Sequence, residues 1–167
     1  MAHPLVLALF TSRPRAARAA EALHAAGVAR EELSVVARGH EDEVALAHAY
    51  HATPGADLED SRLAARLGEL GAHLLAAIAV VLPGVGPVLA SGPLAAELGE
   101  VAGHAAGGLP AVLRGMGIEE GQAIRWQGLV EQGAVLLGVH AVSVDADLVE
   151  GALAATAPDE LERASWD

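Results

Sequence analysis

The sequence predicts an α+β fold, and three observations carry that expectation. Short apolar runs at residues 5–10 and 134–142 stand near the two ends of the 167-residue chain, each followed at once by residues that open a helix. Hydrophobic residues make up 53% of the chain and charged residues 19%, enough apolar surface to offset the entropy of ordering one domain. Between the ends, residues 70–96 run 27 positions without Asp, Glu, Lys or Arg, yet Pro83, Gly84, Gly86, Pro87, Gly92 and Pro93 interrupt them. A spanning helix needs about 20 continuous apolar residues, and a proline removes a backbone donor from a helix interior. The stretch therefore divides into two apolar pieces around a corner.

Residues 5–10, LVLALF, form the first buried strand. Thr11, Ser12 and Pro14 then cap and open a helix. It runs through Ala16, Ala20 and Leu23 to Gly27, a glycine suited to the left-handed position after a helix, with apolar Val28 behind it. Residues 33–37, LSVVA, are the second strand. A helix between two strands with short connections is a right-handed βαβ unit whose strands are parallel but need not be adjacent.

A short helix over 41–51 ends at Thr53, Pro54 and Gly55, and a longer one carries Leu63, Leu67, Leu70, Leu74 and Ile78 at helical spacing. After the corner, a second apolar helix carries Leu94, Leu98, Val101 and Ala105, with Gly99, Gly103, Gly107 and Gly108 allowing close approach. A third helix over 119–132 has acids in its first turn, where the helix dipole favours them, and Gly133 just past its end. Residues 134–142, AVLLGVHAV, are a buried strand; 144–157 are a helix opening near Asp145 and closed by Pro158; 161–166 are the final strand. Two βαβ units with a long connection give the order of a ferredoxin-like sandwich. The expectation is one domain over 1–167, with 1–40 and 133–167 as its α/β halves. Residues 41–132 are then a helical insertion containing an apolar helical hairpin over 63–113.

Twenty-two acids against ten bases give a net charge of −12, which repels phosphate backbones and anionic lipid and argues against nucleic acid as a partner. The acidity is concentrated in residues 119–167, with 10 acids and 2 arginines. Having no cysteine, the chain has no disulfide, thiolate metal site or thiol nucleophile. Its first residues lack a basic segment ahead of a short apolar run, so a cytoplasmic location is expected. Aromatic residues are only 2%, which leaves a core of Ala, Leu and Val spaced by some of the 19 glycines.

The chemistry-bearing residues gather in the hairpin. Glu69 and His73 are four apart, and Glu97, Glu100 and His104 are three and four apart, so each set shares a helix face. Folding about a centre near Val85 to Pro87 sets His73 level with Glu100 and Glu69 level with His104. Glu69, His73, Glu100 and His104 are thus the candidate ligands of a divalent metal. Their wheel position, away from the leucines and in line with Arg62 and Arg66, instead fits a solvated face.

His48 and His51 offer half a tetrahedral set, and His140 is a lone strand histidine without a partner to make it a base. GVGP at 84–87 lacks the Lys-Ser/Thr of a phosphate loop, and Ser91 sits in a turn context rather than a hydrolase motif. No catalytic residue and no cofactor is expected.

PGVGPVLASGPLA at 83–95, between LVLALFTSRPRAARAAEALHAAGVAREELSVVAR and GMGIEEGQAIRWQGLVEQGAVLLGV, resembles the bacterial general-stress and low-temperature-induced protein family. The likeness spans roughly residues 4–142. It implies a stress-associated, non-catalytic protein with a small α/β domain interrupted by a glycine-rich apolar helical segment. The expected role is self-association or docking through Leu63, Leu67, Leu70, Leu74, Leu94, Leu98 and Val101, giving a homo-oligomer. A metal- or haem-binding module built on the hairpin His and Glu residues is the alternative. Peripheral membrane contact is a further one, although neither apolar half reaches spanning length and no basic anchor flanks them.

Overall fold

The structure, a computed structural model, describes residues 2–38, 78–82, 86–94 and 108–166. In chain order these form β1 (His3–Phe10), α1 (Arg13–Ala25), a 3-10 turn (Arg30–Glu32), β2 (Leu33–Arg38), β3 (Ile78–Leu82) and β4 (Gly86–Ser91). They continue with α2 (Gly108–Gly115), α3 (Glu120–Glu131), β5 (Val135–His140), α4 (Ala146–Ala154) and β6 (Glu160–Trp166). The six strands make one sheet in the order β3-β4-β2-β5-β1-β6, with every neighbouring pair antiparallel. β1 and β2 therefore run parallel to each other with β5 between them, and β5 and β6 flank β1 in the same way.

Local chemistry accounts for the elements at both ends. Ser12 caps α1 by accepting from the Arg15 N–H at 3.4 Å, and Pro14 sits in the first turn, where its missing donor costs nothing. The helix ends with Gly27 at φ +95° while the Val28 N–H reaches back to the Leu23 carbonyl at 3.0 Å, closing the last turn as the sequence predicts. Glu119 caps α3 through the N–H groups of Gly121 and Gln122, and Asp145 caps α4 through those of Asp147 and Leu148. These carboxylates also lie at the positive end of each helix dipole.

Strand alternation splits the core in two. Val6, Ala8, Phe10, Val35 and Leu137 face α1 and α4, where Ala16, Ala20, Leu23, Val149 and Leu153 cover them. Leu5, Leu7, Leu9, Val36 and Leu136 face the other way, under Leu109 and Leu113 of α2 and Trp126 and Val130 of α3. LVLALF is apolar without a break because β1 is buried on both faces.

The middle of the chain departs from expectation. Ile78, placed by its spacing in a helix, begins β3, and the Pro/Gly corner joins two strands, with Ile78 opposite Ala90 and Leu82 opposite Gly86. The predicted helical hairpin over 63–113 thus contains a β-hairpin. Ile78, Val80, Val81 and Val88 are β-branched, which favours strands, and a five-residue apolar run carries no periodicity that separates helix from strand. The decisive interaction is distant in sequence: β4 pairs with the free edge of β2, Val35 opposite Ser91 and Arg38 opposite Val88. α2 and α3, assigned from sequence to the insertion, pack on the sheet and complete its second face. No described helix is long and apolar enough to cross a membrane.

Candidate functional site

Strand parity puts Ser34, His140, His3 and Trp166 at one end of the sheet, where apolar positions give way to polar ones. His140 closes β5 and stands opposite Leu5 of β1, and His3 stands opposite Trp166 of β6. The Ser34 hydroxyl lies 3.0 Å from His140 Nε2 and accepts the Leu94 N–H at 3.0 Å. That one oxygen ties β2, β5 and the segment after β4 together. The approach depends on Gly92 at φ +78°, because a Cβ there would stand 2.3 Å from the Leu33 carbonyl oxygen and 2.8 Å from Ser34 Cα. Leu94 itself packs near Leu5, Leu7 and Gly138, inside the second core face.

The His140 ring meets Trp166 edge-on, with centres 4.8 Å apart, and lies 5.7 Å from the His3 ring. His140 is 2% exposed, and burial, with the His3 charge adding to it, lowers its pKa from 6.5 to about 4. The ring is neutral at pH 7. Glu32 acts on it in the opposite sense. Burial would raise the Glu32 carboxyl, but hydrogen bonds from the Ser143 backbone and hydroxyl, with further ones from Ala29 and Val142, outweigh it and hold the pKa below the usual value. The Ser143 N–H and hydroxyl donate at 2.7 and 2.9 Å and the Ala29 N–H at 3.2 Å.

A serine, a histidine and a glutamate thus stand close without forming a relay. A hydrolytic centre needs a reachable hydroxyl and a third group on the far nitrogen of the base. Ser34 is fully buried, and Glu32 commits its oxygens to Ser143 and Ala29. His140 Nδ1 is buried without a partner among the described residues, as is His3 Nε2.

The four metal candidates Glu69, His73, Glu100 and His104 lie outside the described residues, as do His48, His51 and the interface candidates Leu63, Leu67, Leu70, Leu74, Leu98 and Val101. The helical corner that set His73 level with Glu100 is replaced by strands. Leu94, expected at an interface, is 1% exposed within its own chain's core. No group of three or more His, Cys, Asp or Glu suited to a metal occurs among the described residues.

In the sequence His140 stands as a lone strand residue, and no motif marks Ser34. The available signal was a polar residue at an inward position of each of two otherwise apolar strands, but 106 positions separate them and nothing local joins them. Compared with protein-family models, curated proteins and solved structures, the chain finds no match. The stress-family likeness rests on the sequence motifs alone.

Proposed function

We propose that this chain is a non-catalytic protein acting through self-association or docking in a stress response, on a ferredoxin-like framework. Two βαβ units, β1-α1-β2 and β5-α4-β6, supply that framework, and their strands interleave as β2-β5-β1-β6. The residues between β2 and β5 are then an insertion that adds two strands to the sheet edge and two helices to its second face.

The observation that carries the non-catalytic reading is the sealing of Ser34. Its oxygen is engaged by Leu94 and His140, and a substrate would have to displace core side chains to reach it. The stress association is what the family likeness implies.

An edge-to-edge contact through β6 is disfavoured. The Ser165 N–H already donates to the Met116 carbonyl at 3.2 Å, and Arg163 is held by Asp147 at 2.6 Å and Glu150 at 2.5 Å. Occupied donors and charged side chains blunt a strand edge. Contact between copies is therefore assigned to the apolar stripe of Leu63, Leu67, Leu70, Leu74, Leu98 and Val101. Light scattering of purified protein in detergent-free buffer tests this. A dimer or larger species that Leu98→Asp dissociates is expected, and a monomer at every concentration overturns the assignment.

A further inference from the structure

We propose that His3 and His140 together bind one late first-row transition-metal ion, Zn²⁺ or Cu⁺, through His3 Nε2 and His140 Nδ1. Both nitrogens are buried and have no hydrogen-bond partner among the described residues. Two such atoms, on rings whose centres are 5.7 Å apart, are costly to leave unmet, and each is a good ligand for these ions when neutral.

The geometry of the rings fits a shared ion. With a nitrogen–metal distance of about 2.0–2.1 Å, each ring centre lies about 3.2 Å from the ion, so two rings on one ion have centres within about 6.4 Å. The observed separation is 5.7 Å, which corresponds to a bent nitrogen–metal–nitrogen angle. The rings are tilted by 57° and need not stack.

What surrounds His140 is what a ligating histidine needs. Its other nitrogen, Nε2, faces Ser34 Oγ at 3.0 Å, so with Nδ1 on the ion the Nε2–H donates to the serine. A partner on the far nitrogen fixes tautomer and ring orientation and raises ligand basicity. Ser34 is fixed in turn by the Leu94 N–H, and the Trp166 edge contact braces the ring plane. Glu32, buried and held ionised by three N–H and hydroxyl donors, supplies a nearby negative charge to offset the cation. Two imidazoles leave coordination positions for water or a small anion, so the expected affinity is micromolar rather than that of a closed four-ligand site. The bent pair falls short of the linear geometry of two-coordinate Cu⁺, so Cu⁺ takes a third ligand from solvent and Zn²⁺ takes two.

The test uses tag-free full-length protein, stripped with EDTA and desalted, and titrated by calorimetry with Zn²⁺ and, anaerobically, with Cu⁺. One equivalent per chain is expected for at least one ion. His3→Ala and His140→Gln should each weaken it at least tenfold, while His24→Ala leaves it unchanged. Imidazole ¹⁵N spectra should show His3 Nε2 and His140 Nδ1 shifting on binding while His140 Nε2 keeps its proton. Because His140 is a core residue, the partly buried His3 provides a variant that keeps the fold. No saturable binding of either ion, binding indifferent to His3→Ala, or coordination through His140 Nε2 overturns the proposal. The oligomeric state, measured separately, is unaffected by any of these results, so this site and the assembly role fail independently.

Discussion

Replacing Gly92 by alanine tests the tie between β4 and β2 directly. Gly92 has φ +78°, a left-handed conformation that costs an alanine about 1–2 kcal/mol. Its Cβ would also stand 2.3 Å from the Leu33 carbonyl oxygen and 2.8 Å from both Ser34 Cα and Ser34 Oγ. Two of the three atoms are backbone, so the strand or the turn must move rather than a flexible side-chain end.

Movement there pulls the Leu94 N–H and His140 Nε2 away from the serine oxygen they share, and a buried polar group left unpaired costs about 1–3 kcal/mol. The two terms together give an expected loss of about 2–5 kcal/mol, reaching the high end for a single substitution. Gly27→Ala is the matched control: its φ is +95° but nothing lies within 4 Å of the added Cβ, so it bears the dihedral cost alone. Urea denaturation of both variants against wild type, at equal m-value, measures the difference. An excess loss of about 1–3 kcal/mol for Gly92→Ala is expected from the bonds at stake. Equal losses for the two variants would refute the close approach of Gly92 to β2.

Two further outcomes follow from the same cluster. In EDTA-containing buffer, His140 carries a folded pKa of about 4 against 6.5 unfolded, so the folded state resists taking up a proton that the unfolded chain accepts. Stability is full above pH 6.5 and falls as pH drops toward 4, by about 3 kcal/mol for a histidine moved between those two values. Carboxyls with lowered pKa, such as Glu32 and Asp159, add their losses only below their ordinary values of 4.5 and 3.8, so among the described residues the loss between pH 6.5 and 4.5 comes from His140, and His140→Gln should remove it. Denaturant midpoints that stay flat across that window count against a buried neutral imidazole. Leu94→Ala should cost about 2–5 kcal/mol by opening a cavity near Leu5, Leu7 and Gly138. That loss should not depend on protein concentration; a loss that vanishes on dilution would mean Leu94 faces another copy.

The sequence by itself determined the elements at the two ends of the chain. The 5–10 run became β1, Ser12 with Pro14 opened α1, Gly27 ended it, and Glu119 and Asp145 opened α3 and α4. Capping and turn chemistry act within a few residues, so the information is local. Apolar composition also implied a core of small aliphatic residues, and Leu5 to Phe10 are fully buried.

Tertiary structure decided the rest. Ile78–Leu82 and Gly86–Ser91 are strands because β2 offers an unpaired edge to β4, a partner that neither segment's own sequence names. Leu94 has the spacing of an exposed helical stripe, yet it is core because Gly92 brings it against β2 and Ser34 holds its N–H. His140 carries no local sign of a partner and acquires one only when two strands, distant in sequence, align their inward positions. Spacing along a chain reports which side chains share a face; which faces meet depends on the sum of long-range pairing and burial over the whole sheet, and that sum is set only once the chain has folded.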